Sequence, residues 1–217
     1  DATDAVGAHD GTASLVTWDT TNFKLGTASA QFGGAGFVDT GFDFDGLGSC
    51  SINCWFRITT QASRNILVAH YIGAGDEAFY FRITDDTAHY RIQGQMFSST
   101  GGNSSDVNGT TNLSTNTWYM GTMVYDGAKV YVYLNGTSEA NAALTGNVKT
   151  TSLNIKIGDL AQYAQFFNGQ IDEIGFWNRA LTGAEITSLY NGGAGLAYPL
   201  VLASNYPYHA LANMSTP

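Results

Sequence analysis

Carboxylates are the residues in this chain best suited to bond-breaking chemistry, and their spacing works against it. Retaining cleavage of a glycosidic bond takes two carboxyls roughly 5–5.5 Å apart, which strand positions two or four apart can supply. Asp43-x-Asp45 is the only acidic pair two apart, and it stands in FDFDGLG, a glycine-bounded turn. Asp85-Asp86 reads as a turn, and Asp172-Glu173 would point to opposite faces of a regular strand. The chain has no G-x-S-x-G, H-E-x-x-H, phosphate loop or dinucleotide fingerprint. His9, His70, His89 and His209 are scattered along it. No catalytic residue is expected. The two cysteines, Cys50 and Cys54 in SCSINCWF, would lie roughly 13 Å apart along a strand, too far for a disulfide. They read as buried free thiols.

Aromatic side chains offer a different chemistry, since a ring face stacks on a sugar ring when amides and carboxylates flank it. Tyr71, Phe97 and Tyr163 lie near loop signals, as does Phe166. Tyr131 and Tyr133 fall on the non-core face of a strand, where polar residues are the rule. All five of Tyr71, Phe97, Tyr131, Tyr133 and Tyr163 are candidate ligand contacts. Tyr131 and Tyr133 read more readily as a cross-strand aromatic ladder or an oligomer contact. Trp55 and Trp118 read as structural.

The elements that must position these side chains are strands. The chain has 217 residues, a formal charge of -9, 12% charged and 13% aromatic residues, and 26 glycines. An acidic balance excludes a phosphate-backbone binder, so no nucleic-acid partner is expected. The aromatic content excludes disorder. No apolar run reaches 18 residues, so no membrane span is expected. Cys50, Ile52, Cys54 and Phe56 alternate with Ser51, Asn53 and Trp55, a period of two. Trp118 to Asn135 forms the clearest hairpin, turning at Asp126-Gly127. Ile171, Ile174 and Phe176 suggest a last strand interrupted at Asp172-Glu173. Thr182 and Glu185 fit a capping box for one short helix, with Ile186, Leu189 and Tyr190 inward and Gly192 or Gly193 as its stop. Ser98 to Thr117 reads as a long polar loop holding a short strand. The fold class is all-β, a two-sheet antiparallel sandwich with one short helix near the C-terminus.

Several segments together resemble the concanavalin A-like lectin/glucanase superfamily, in its LamG-like (laminin G and pentraxin type) jelly-roll form. They are HDGTASLVTW from His9, KLGTASAQFGGAGFVDTG from Lys24, SCSINCWFRI, WYMGTMVYDGAKVYVYLNG from Trp118, and FNGQIDEIGFWNRALTGAEITSLYNGG from Phe167. NGGAGLAYP also resembles modules of phage and environmental bacterial proteins. The resemblance covers residues 5–195, and the E-x-D-x-x-E pattern of the sugar-cleaving members is missing. The family's usual first strand is missing too; the apolar tail at Leu200–Ala203 is a candidate to fill its place.

The resemblance implies a sandwich over residues 1–197 with an apolar tail over 198–217. It implies a non-catalytic binding or adhesion module directed at a glycan or cell-surface polysaccharide, in a bacterial or phage surface assembly. The alternative is a virion structural protein, a capsid decoration or tail component, that assembles with copies of itself or other virion proteins through the tail. A glycoside hydrolase is a minor alternative. The expected location is an extracellular surface or a virion, with no leader peptide visible. A structural Ca2+ is implied, with Asp172 as leading ligand and Asp10 and Asp4 as weaker ones. Asp172 reads alternatively as a buried carboxylate accepting backbone or arginine hydrogen bonds, with Arg179 as the partner.

Overall fold

Alternating runs cut by glycine, asparagine and aspartate turns favour antiparallel neighbours in space. The computed structural model describes residues 9–60, 64–73, 75–85, 89–100, 102–104, 106–196 and 209–211. Its strands are β1 (Thr12–Asp19), β2 (Ser29–Asp39), β3 (Cys50–Ile58), β4 (Arg64–Gly73), β5 (Asp76–Asp85), β6 (Tyr90–Met96), β7 (Val107–Asn108) and β8 (Trp118–Tyr125). They continue with β9 (Lys129–Leu134), β10 (Thr137–Ala143), β11 (Lys156–Ile157), β12 (Asp159–Leu160), β13 (Gln165–Phe166), β14 (Asn168–Trp177) and β15 (His209–Leu211). Among the described residues one α-helix, α1 (Gly183–Tyr190), follows β14. A 3-10 turn at Ala161–Tyr163 joins β12 to β13.

The hydrogen-bonded order is β10-β9-β8-β3-β14-β2-β11-β4-β5-β6-β7, with β1 beside β2 and β15 beside β14. The ribbon doubles over, so that β6 lies against β9. Two layers enclose a core that includes Phe32, Ile52, Phe56, Phe79, Phe81, Val132 and Phe176. Gly121 on β8 sits at a close approach of those layers. A Cβ there would stand 2.7 Å from Ile92 Cδ1 and 3.1 Å from Phe56 and Phe81.

The period-two pattern in β3 predicts its inner face correctly: Cys50, Ile52, Cys54 and Phe56 all join the core. Its outer face is not open, however. Trp55 packs with Met120, Val124, Trp177, Leu181, Ile186 and Leu189 in a second apolar cluster. Helix α1 folds back over this side, and burying residues such as Ile186 and Leu189 contributes about 1.5–3 kcal/mol each. The helix starts as the sequence predicts. Thr182 accepts from the Glu185 N–H, and Glu185 accepts from the Thr182 N–H, closing the capping box. It stops one residue early, at Asn191 in the left-handed region (φ 48°), which asparagine tolerates better than most residues.

In β14 the interruption at Asp172-Glu173 is a β-bulge, with Glu173 at φ 45° and a register shift before Gly175. The place beside Ile174–Phe176 is taken by the tail, through β15. That strand is His209–Leu211; Leu200–Ala203, the stretch expected to fill the place of a missing first strand, is outside the described residues. Asp4 is outside them as well.

Candidate functional site

Strand β5 is AFYFRI at its centre, and both of its faces are committed. Phe79, Phe81 and Ile83 face the core, so Tyr80 and Arg82 face the other way. Antiparallel register then fixes their neighbours: Ala69 on β4 and Gln95 on β6 lie opposite Tyr80, and Gln93 lies opposite Arg82. Ile66, Ala69, Tyr80 and Leu160 form a small apolar cluster with Tyr71 packed against it.

Tyr71 is the hub of an aromatic group. Its ring centroid lies 5.7 Å from Phe97, 5.8 Å from Tyr163 and 6.0 Å from Tyr80. Phe97 follows β6 and is held by a bridge to Asn103. Tyr163 ends the 3-10 turn and is 46% exposed, which leaves much of its ring open to a ligand. Three of the five aromatic candidates therefore meet at one place. Tyr131 and Tyr133 do not join them. Their rings lie 6.3 Å apart on the opposite sheet, against the cluster beneath α1. Tyr131 donates to Asp126 at 3.0 Å.

Polar groups surround the hub. Tyr71, Tyr80, Arg82, Gln95, Asp106, Leu160, Tyr163 and Gln165 line a concavity of about 300 Å³. The Tyr80 hydroxyl donates to Asp106. The Arg82 guanidinium lies 4.1 Å from the Tyr80 ring centroid and donates to Gln93 and Gln165. Burial is the largest cause raising both phenol pKa values. The Tyr163 hydroxyl helps push Tyr71 up to about 12, and the Asp106 hydrogen bond adds to the rise at Tyr80. Both remain neutral hydroxyls at ordinary pH, able to donate and accept. A second concavity, of about 620 Å³, shares Tyr71 and Leu160 with the first. Its walls add Ala69, Leu153, Asn154, Lys156, Asp159 and Gln162. Sequence reading missed Tyr80 and Arg82. The signal was present in AFYFRI, where a tyrosine and an arginine alternate with core phenylalanines.

Asp106 is the single carboxylate lining the smaller concavity, and Asp159 lines the larger one beyond the Tyr71 and Leu160 wall. Two further acids, Asp45 and Asp76, are engaged elsewhere. Asp45 lies 3.8 Å from buried His70 and accepts the Thr151 N–H. Asp76 accepts from the backbone and hydroxyl of Ser152.

Asp172 is buried within β14, and its surroundings are donors. One oxygen accepts the N–H groups of Lys24 (2.7 Å) and Leu25 (3.1 Å), the other that of Glu173 (3.0 Å). Calcium requires six to eight oxygen ligands, and this N–H-rich setting does not fit one. Asp10 is exposed, and among the described residues no three or more His, Cys, Asp or Glu side chains gather in a way that could hold a metal. Arg179, the arginine expected beside Asp172, pairs instead with Glu185 at 2.7 Å.

A family profile for the concanavalin A-like lectin/glucanases matches residues 32–187. The chain belongs to the concanavalin A-like lectin/glucanases superfamily. Solved structures share the fold of this concanavalin A-like chain. Domain 4 of AbnA, an extracellular arabinanase from Geobacillus stearothermophilus seen with arabinotriose, superposes with a TM-score of 0.62 at 17% identity, covering 82% of this chain and 87% of that one. A putative carbohydrate binding protein from Bacteroides ovatus gives a TM-score of 0.53 at 17% identity over 82% of this chain. The botulinum neurotoxin serotype G binding domain gives 0.60 at 13% identity over 85% of this chain. The match spans less than half of each of those two longer chains, 45% and 47%. None of the curated proteins matches the chain.

Proposed function

We propose that this chain is a non-catalytic carbohydrate-binding module whose ligand rests on the Tyr71, Tyr80, Tyr163 and Phe97 group. The observation that carries this reading is the concavity itself. Aromatic rings offer apolar faces to the C–H surface of a sugar, and Arg82, Gln95, Asp106 and Gln165 stand around them to hydrogen-bond its hydroxyls. Four polar side chains converge there with three tyrosine rings, and convergent polar groups beside aromatic walls are what fixes a ligand's orientation in a small-molecule site. Asp106 lines that hollow and Asp159 the adjoining one, while two-carboxylate glycoside hydrolysis needs both carboxyls around one bond. The AbnA domain seen with arabinotriose and the Bacteroides protein support the same reading by fold.

Screening the protein on a glycan array, followed by calorimetry on the hits, tests the proposal. It predicts saturable binding that weakens in Tyr163→Ala; an array without hits would remove it.

A further inference from the structure

The charged residues lining the two concavities cancel. Arg82 and Asp106 line the smaller and Lys156 and Asp159 the larger, two cations against two anions. Each cation already has partners inside the protein. Arg82 donates to Gln93 and Gln165 and stacks on Tyr80, whose hydroxyl is held by Asp106. Lys156 lies 3.8 Å from Asp159 and 4.6 Å from the Phe37 ring centroid. A ligand carboxylate or sulfate entering here would be desolvated without a free cation to meet it, a costly exchange. The chain's charge of -9 adds long-range repulsion for a polyanion. The geometry is also double. Tyr71 and Leu160 belong to both concavities, so the Tyr71 ring is a partition with a hollow on either side. Gln162 and Asn154 stand exposed at the wall of the larger hollow.

We propose, building on the reading of this site as a carbohydrate site, that it takes an uncharged glycan chain that crosses Tyr71 and fills both hollows. One stretch of the chain rests among Tyr80, Arg82, Gln95, Asp106 and Tyr163. The adjoining stretch lies along Leu153, Asn154 and Gln162. Acidic polysaccharides are refused because both cations that line the hollows, Arg82 and Lys156, are already paired within the protein.

The test is calorimetry with two ladders of increasing length, neutral arabino-, xylo- and cello-oligosaccharides and acidic oligogalacturonates, each at low and high salt. The expected result is binding of a neutral series that tightens several-fold once the oligomer is long enough to pass Tyr71, with little dependence on salt. Gln162→Ala, and separately Asn154→Trp to fill the larger hollow, should shrink that gain with length. Two variants of exposed residues guard against loss of folding in either. Preference for the oligogalacturonates with steep salt dependence would overturn the inference while leaving a carbohydrate module standing. Equal affinity for the single sugar and the longest oligomer would overturn the two-hollow geometry. Failure of both ladders, and of a glycan array, would remove the module reading as well.

Discussion

Tyr71 and Tyr163 hold their ring centroids 5.8 Å apart at an interplanar angle of 59°, one ring set into strand β4 and the other on the 3-10 turn after β12. Neither segment is near the other in sequence, so the aromatic hub exists only once the sheet has closed. Tyr71 packs against the apolar cluster, and Tyr163 is its solvent-facing half. This division predicts separable effects. Tyr163→Ala should lower glycan affinity roughly tenfold. It should leave the melting temperature nearly unchanged, because an exposed ring carries little stability. Calorimetry and thermal denaturation on the same sample check the two halves.

Asp172 gives a pH prediction. Burial is the largest cause raising its carboxyl to about 6 from 3.8, with the N–H groups of Leu25, Lys24 and Glu173 opposing. A raised folded-state value favours the protonated folded form. Its contribution is therefore complete below about pH 4 and is lost as pH climbs through about 6. Across that window the protein should lose up to roughly 3 kcal/mol relative to Asp172→Asn. His70 acts in the opposite sense: burial lowers its value from 6.5, so it loses stability as pH falls below 6.5. It acts equally in both proteins, and urea denaturation of the pair across pH isolates Asp172.

Glu185 should behave in reverse. Arg179 is the largest cause that holds its carboxyl down at about 2, and the Thr182 cap adds to it. Its contribution is present above 4.5 and lost as pH falls through about 2. Glu185→Gln keeps the capping box but loses the charge that pairs with Arg179, so it should cost about 1 kcal/mol or less at neutral pH, and the difference should fade in acid. Chemical denaturation at a series of pH values reads it.

Cys50 and Cys54 are free and buried in the core, and burial pushes both thiols well up from their ordinary value. Thiolate is the reactive form. Iodoacetamide should leave both unmodified in the native protein and label both after unfolding in guanidinium, as read by mass spectrometry.

Local patterns carried much of this fold in advance. The alternation at Cys50, Ile52, Cys54 and Phe56 placed the inner face of β3, and Thr182 with Glu185 placed the start of α1, because both signals act over a few residues. What lay hidden depended on distant packing. The Trp55 face of β3 is buried because α1 returns over it from more than a hundred residues away, and that same return explains why Tyr131 and Tyr133 belong to a covered surface. Arg179 reads as a partner for Asp172 by proximity in sequence, yet the bulge turns Asp172 toward the Lys24 and Leu25 backbone. Tyr71, Phe97 and Tyr163 were legible as aromatics near loops. Their convergence was not, since it needs β4, the end of β6 and the 3-10 turn, far apart in sequence, to meet around Tyr71. The strand at His209–Leu211 was foreshadowed only as an apolar tail able to fill a gap.

The central claim is that a glycan binds at the aromatic hub on β4 and β5. Titrating a neutral oligosaccharide into isotope-labelled protein and following the amide and aromatic NMR signals tests it most directly. Shifts that saturate at Tyr71, Tyr80, Arg82, Gln95 and Tyr163, with Tyr131 and Tyr133 unmoved, are the predicted result. Shifts confined to the α1 side of the sandwich, or none with any glycan, would contradict it.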